Sequence, residues 1–269
     1  MTKDLEDTRP PTRFGLFMER WLDRLRMNEH LFDLLAAIVI GILCGFGAVA
    51  FRLLIDGCHT LFWGESHLTL AFMEGVPWWR RILVPALGGL LVAPIVYYFA
   101  REAKGHGVPE VMLAVATRKG IIRGRVAIAK AIASAITIAS GGSAGREGPI
   151  IQIGSALGSW VGQVLKVSAR KIRTFVGCGA AAGIAATFNG PIAGALFAVE
   201  VILGEFGVAQ FGPIVISSVL ATVIARHHFG SGPVFDVPKY ELASTLELGP
   251  DLLLGLLCGV AVSYTHLTL

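Results

Sequence analysis

Charge is scarce in this chain. Of 269 residues only 16% are Asp, Glu, Lys or Arg, 54% are hydrophobic, and the mean hydropathy is +0.67. Soluble domains carry about a quarter charged residues, so this composition excludes an ordinary soluble protein and implies a polytopic membrane protein. Cysteine is also sparse: Cys44, Cys58, Cys178 and Cys258 are scattered without a CxxC pair. That excludes a disulfide framework or a cysteine metal site, and three of the four lie in apolar runs as small packing residues. Among the histidines only His227 and His228 are adjacent, which makes a poor metal site. P-loop and HExxH motifs are missing, so the enzyme classes they mark have no foothold, and no cofactor is expected. The net charge of +4 needs no nucleic-acid partner, because basic loops and anionic lipid headgroups account for it. The first 30 residues are charged throughout, and no cleavable signal peptide precedes the first apolar run.

What the chain does have is long apolar runs. They extend over residues 34–55, 82–100, 126–139, 149–165, 172–187, 191–203 and 209–225, with a last one opening near Leu252. Several fall short of the ~20 residues that a full span needs. Short apolar helices interrupted by Gly and Pro are expected as broken or re-entrant segments lining an enclosed path. The expected fold is all-α, with tilted and broken helices.

Basic residues sort by loop. Six Lys or Arg precede Asp33, six lie in 101–125 and four in 166–173, whereas 230–249 holds only Lys239. The positive-inside bias therefore predicts a cytoplasmic N-terminus in a multi-pass protein of the cell (inner) membrane. Phe14, Phe17, Trp21 and Leu25 share one helical face ringed by charge, which reads as an interfacial helix within a cytoplasmic region 1–30; a solvated cap helix is the alternative.

Three segments carry the chemistry. Gly141 to Gly148 and Pro149 place Arg146 and Glu147 between two apolar runs, where a charged pair is costly and marks function. Small residues let the backbone turn and expose N–H groups, and Pro149 suits the first turn of a helix opening there. The helix end would face an anion or the Glu147 carboxylate, the two competing for one place. Lys104, Gly105, His106, Gly107, Val108, Pro109 and Glu110 repeat the device, with Pro109 opening a short helix. Two N-termini, one approaching from each side, would focus positive potential on an anion. An ordinary polar turn before an amphipathic helix is the alternative for this second segment. In the third, Asn189, Gly190 and Pro191 break an apolar run that ends in Glu200, expected buried or at the inner interface, as a proton carrier or a tie between helices.

A dinucleotide turn is a competing reading of Gly177 to Gly183, with a strand over Ile172 to Val176 and Glu200 as the ribose acid of a membrane-bound enzyme. Apolar spans on both sides and Asn189-Gly190-Pro191 at the place of the next strand speak against it. The small residues suit close helix packing in lipid better.

In order and spacing, residues 105–110, 141–149 and 179–200 resemble the characteristic segments of CLC chloride channels and chloride/proton exchangers. The resemblance covers roughly Leu31 to Val262, the first of that family's two inverted repeats. It implies tilted helices of unequal length, a homodimer with a separate pore in each subunit, and voltage- or proton-gated movement of chloride or a related anion. Glu147 matches the family's external gating glutamate. Arg146, Gly148, Pro149 and Ile150 match the external anion site, and Gly105, His106, Gly107, Val108 and Pro109 the central one. Glu147 and Glu200 are candidates for a proton path. His106 departs from the serine common in the family, which affects anion selectivity. Val201 stands where exchangers often carry a second glutamate and favours a channel; an exchanger would need another inner relay such as Glu205 or His106. The closing residues 263–269 read as foreign sequence of a truncated frame, after a helix expected to stop at Val262, and such a half-repeat alone would conduct nothing.

Overall fold

Within an apolar solvent every backbone N–H and C=O must be satisfied inside the chain, and the helix does this locally. The computed structural model describes residues 29–65, 70–99, 107–205, 207–232 and 244–268. They form ten α-helices, and no strand occurs among the described residues. The chain divides into two units, Met1–Gly232 and Pro233–Leu269.

The first unit holds α1 (Glu29–Trp63), α2 (Leu70–Gly75), α3 (Trp78–Pro94), α4 (Val108–Thr117), α5 (Gly124–Ala139), α6 (Glu147–Val164), α7 (Ala169–Phe188), α8 (Pro191–Phe197) and α9 (Val208–Phe229). Three of its helical stretches, Glu29–Trp63, Trp78–Tyr98 and Val208–Phe229, are long and apolar enough to cross a membrane. At 1.5 Å per residue the 35 residues of α1 extend about 50 Å, well beyond the ~30 Å hydrocarbon core, so α1 tilts or projects. The expected breaks are present. α3 contains Pro85 and Pro94 and passes into a π-helical turn over Ile95–Phe99, and α8 passes into another over Ala198–Leu203.

Glycine at helical spacing decides the packing. Gly154 and Gly158 of α6 bring that helix so near α7 that an added Cβ would overlap the carbonyl oxygens of Gly179 and Phe175. Gly183 is similarly placed 2.7 Å from the Ile150 oxygen, measured from the position a Cβ would take. α1 meets α9 the same way, with Gly41 against the Ser217 backbone. Such small-xxx-small faces replace the hydrophobic drive that lipid does not supply. Phe175, Val176, Cys178 and Ala180 to Ala182 of α7 are wholly buried at the centre.

This arrangement corrects the dinucleotide reading. Ile172 to Val176 and Gly177 to Gly183 are one continuous buried stretch of α7, because the glycines at 179 and 183 are spaced for a helix face and not for a turn. Cys44 and Cys178 are buried packing residues, with the Cys44 thiol 3.6 Å from the Gly154 oxygen; Cys58 is half-buried.

The second unit contains a 3-10 turn over Thr245–Glu247 and α10 (Leu248–Thr268), of which Thr245–Ser263 meets the length and apolarity of a span. Its backbone continues as helix through Thr268 and does not stop at Val262. Tyr, Thr, His and Leu are all compatible with a continued helix, and only Gly or Pro would have broken it. The expected interfacial helix at 14–27 lies outside the described residues, as do Gly105 and His106.

Candidate functional site

The turn ahead of α6 is built by a glycine helix stop. α5 ends with Gly141 at φ 93°, its N–H donating to Ile138 O at 3.1 Å and that of Gly142 to Thr137 O at 2.8 Å. This is the paired bonding of a left-handed helix terminus, which Gly supplies without a Cβ penalty. Trp63 fixes the turn from outside, its indole N–H donating to Ala139 O at 2.8 Å.

From that turn the chain enters α6 through Arg146 as N-cap, and the helix begins at Glu147, two residues before the expected start at Pro149. Pro149 is held in the first turn, where its missing N–H costs nothing. The Arg146 side chain makes no capping hydrogen bond at this end. The Glu147 carboxylate is exposed and folds back over Gly145, where a Cβ would overlap it. Gly148, Pro149 and Ile150 are buried.

The second segment arrives at the same point. Gly107, at φ 95°, is the N-cap of α4 and has no side chain to cap it, with Val108 and Pro109 opening the helix. A Cβ on Gly107 would lie 2.8 Å from the Gly148 oxygen and 3.2 Å from Gln152 Oε1. The two helix starts therefore meet. They do not approach from opposite sides. Further along, Ser159 of α6 donates to Gly120 O at 2.7 Å and accepts from the Ile122 N–H at 2.9 Å, so α4 and α6 run side by side away from a shared origin. Parallel helices sharing one end add their positive dipole ends at that end.

The sequence does not single out Gln152, one of two amides, with Gln163, in the apolar run 149–165. It is fully buried, and among the described residues neither Nε2 nor Oε1 has a hydrogen-bond partner. It lines a cavity of about 350 Å³ whose lining includes Arg118 and Glu110, an ion pair at 3.1 Å.

Glu200 is exposed in the π-helical turn after α8, so the buried placement is not found in this unit; the turn presents its side chain away from the packed face of Ala198, Val199 and Ile202. Val201 and Glu205 line a separate, wide cavity of about 960 Å³ together with Pro109, Lys119, Arg170 and Arg173. Asn189 takes the left-handed conformation at φ 58° between α7 and α8 and donates to Ser231 O and Gly232 O at 3.3 and 3.2 Å. No cluster of His, Cys, Asp and Glu suited to a metal occurs among the described residues.

Broken helices, two of whose N-termini converge beside Arg146 and Glu147, and stretches long and apolar enough to cross a membrane define an all-α membrane protein. The family model described as voltage gated chloride channel matches residues 88–268, and the chain belongs to that family, the CLC proteins. It is 36% identical over 227 residues to the putative chloride channel protein ClcB-like of Ralstonia nicotianae, covering 83% of this chain and 53% of that relative. It is 32% identical over 234 residues to the H(+)/Cl(-) exchange transporter ClcA of Vibrio parahaemolyticus, covering 84% and 49%. Two solved structures share the fold: a slow cyanobacterial Cl-/H+ antiporter (TM-score 0.67, 24% identity, 85% of this chain and 54% of that one) and a CLC-type fluoride/proton antiporter (0.68, 22%, 93% and 57%). The chain spans about half the length of the curated relatives named here.

Proposed function

We propose that this chain is the first inverted repeat of a transporter that moves chloride or a related small anion across the cell (inner) membrane, with Glu147 as its gate. The observation that carries this reading is the meeting of the α4 and α6 N-termini at Gly107 and Gly148, next to the Glu147 carboxylate. An anion at such an end gains from backbone N–H groups and helix dipoles without a full cationic charge to hold it too tightly. Gly105, His106, Gly107, Val108 and Pro109 form the central site in this proposal, and Arg146, Gly148, Pro149 and Ile150 the external one. Residues 31–262 constitute the transport region, and the complete protein is a homodimer.

Channel activity is the first reading within this proposal, because Val201 offers no inner carboxylate. The exchanger reading is supported by the similarity to a relative named as an H(+)/Cl(-) exchange transporter and by Glu205 in the cavity that Val201 also lines. Chloride and proton fluxes from liposomes carrying the complete protein separate the two. A channel passes chloride without uphill proton movement. An exchanger moves protons against their gradient, and Glu147→Gln abolishes that movement while chloride still passes. Absence of chloride flux in both proteins would refute the proposal.

The N-terminus is proposed to be cytoplasmic. Gly120 packs against Ile172 and Arg173, and Lys171 pairs with Asp33 at 2.9 Å, so both basic loops and the start of α1 lie on one side. That is the distribution expected for a cytoplasmic face.

A further inference from the structure

The wide cavity of about 960 Å³ lies where the end of α4, the start of α7, the π-helical turn after α8 and the start of α9 meet. Its lining divides by chemistry. Pro109, Met112, Leu113 and Ala116 fall at i, i+3, i+4 and i+7 of α4, so they form one apolar strip along that helix. Val201 and Leu203 of the π-helical turn add to the apolar wall. Lys119 follows the end of α4, and Arg170 and Arg173 stand one turn apart at the start of α7. Gly120 packs against Ile172 and Arg173, which gathers these cations at the C-terminal end of the strip.

All three cations are exposed, and none makes a side-chain ion pair or hydrogen bond among the described residues. Glu205 is the one carboxylate among the described lining residues, and Glu200 does not line the cavity, so positive charge is in excess. Beside them Met112 and Leu113 are 41% and 45% exposed. Water would solvate the cations and leave the strip wet, and a small inorganic anion would do the same. A ligand with an anionic head and an apolar tail satisfies both parts. From Pro109 to Thr117 α4 rises about 12 Å at 1.5 Å per residue, comparable with the ~15 Å depth of one leaflet.

We infer that this cavity binds an anionic phospholipid, its phosphodiester between Lys119, Arg170 and Arg173 and an acyl chain along the α4 strip. Guanidinium forks and a lysine ammonium both suit phosphate oxygens, and a basic pocket between membrane helices is a setting in which lipid headgroups are held. The leaflet, the cytoplasmic one, rests on the sidedness proposed above; the binding site does not. Pro109 is two residues from Gly107, so a lipid held on the strip braces the helix that carries one of the two meeting starts.

Photolabelling of the complete protein in phosphatidylcholine nanodiscs tests the site. Phosphatidylglycerol with a diazirine on its acyl chain should label α4 between Met112 and Ala116, mapped by peptide mass spectrometry. Unlabelled phosphatidylglycerol should displace it, and additional phosphatidylcholine should not. Arg173→Gln should raise the mole fraction needed for half-maximal labelling about fivefold, the weight of one basic residue near an anionic surface, and Arg173→Lys should restore it. Lys166→Gln removes an exposed cation of the adjoining loop that does not line this cavity, and should change nothing. Absence of label on α4 overturns the proposal, and so does an equal loss in Lys166→Gln, which would mean diffuse attraction to the basic loops. Displacement by glycerol 3-phosphate as readily as by phosphatidylglycerol would make the ligand a free phosphate ester and overturn the lipid. The labelling requires no ion flux, so failure of the anion-transport reading and failure of this site are read separately.

Discussion

Gln152 is a single side chain with two opposing consequences. Its amide is fully buried without a partner among the described residues, and an unsatisfied buried polar group costs about 1–3 kcal/mol. Its Oε1 nevertheless stands at Gly107, where the two helix starts meet. Gln152→Leu should therefore raise the melting temperature of the detergent-solubilised protein while lowering chloride flux. A variant that melts lower than the unaltered protein would mean that water or ions already satisfy the amide. Arg52 belongs to the same scale: a cation inside an apolar run is visible in the sequence, but Arg146, which lines the same cavity, lies almost a hundred positions away, beyond any local pattern. Glu147, by contrast, was legible because its cost at that position is local, a charge between two apolar runs beside Gly and Pro.

At the scale of elements, the helices were legible and their ends less so. Apolar runs gave α1, α3, α5, α6, α7 and α9, because in lipid an apolar run of this length has helix as its local solution. The start of α6 moved from Pro149 to Glu147, since a proline in the first turn does not fix which residue before it adopts helical dihedrals. Contact between α6 and α7 depends on the absence of a Cβ at 154. Gly154→Ala should push the helices apart and destabilise by about 1–3 kcal/mol, an overpacking cost. Gly89→Ala in α3, where a Cβ meets nothing within 4 Å, should be neutral or stabilising by up to about 1 kcal/mol. Thermal unfolding in detergent followed by fluorescence size-exclusion compares the two. Equal midpoints would refute the backbone-contact account.

For the whole molecule, the testable quantity is sidedness. Ser168 lies in the basic loop between α6 and α7, and Ser231 follows α9; both are exposed. With the N-terminus cytoplasmic, Ser231→Cys in intact cells should react with a membrane-impermeant thiol reagent, and Ser168→Cys only after permeabilisation, each against the labelling of the unaltered chain. The reverse pattern would invert the proposed orientation.

The sequence by itself determined the environment, the helical class, the breaks at Gly and Pro, and the position of the charged pair, because each is a local balance between an apolar solvent and polar groups that must be satisfied within a few residues. The tertiary structure alone decided that α4 and α6 start from one point and run side by side, that Gln152 faces Gly107, and that Arg52 shares a cavity with Arg146. Those juxtapositions follow from how closely glycine faces let distant helices approach, and close approach between residues far apart in the chain leaves no periodic trace in either segment.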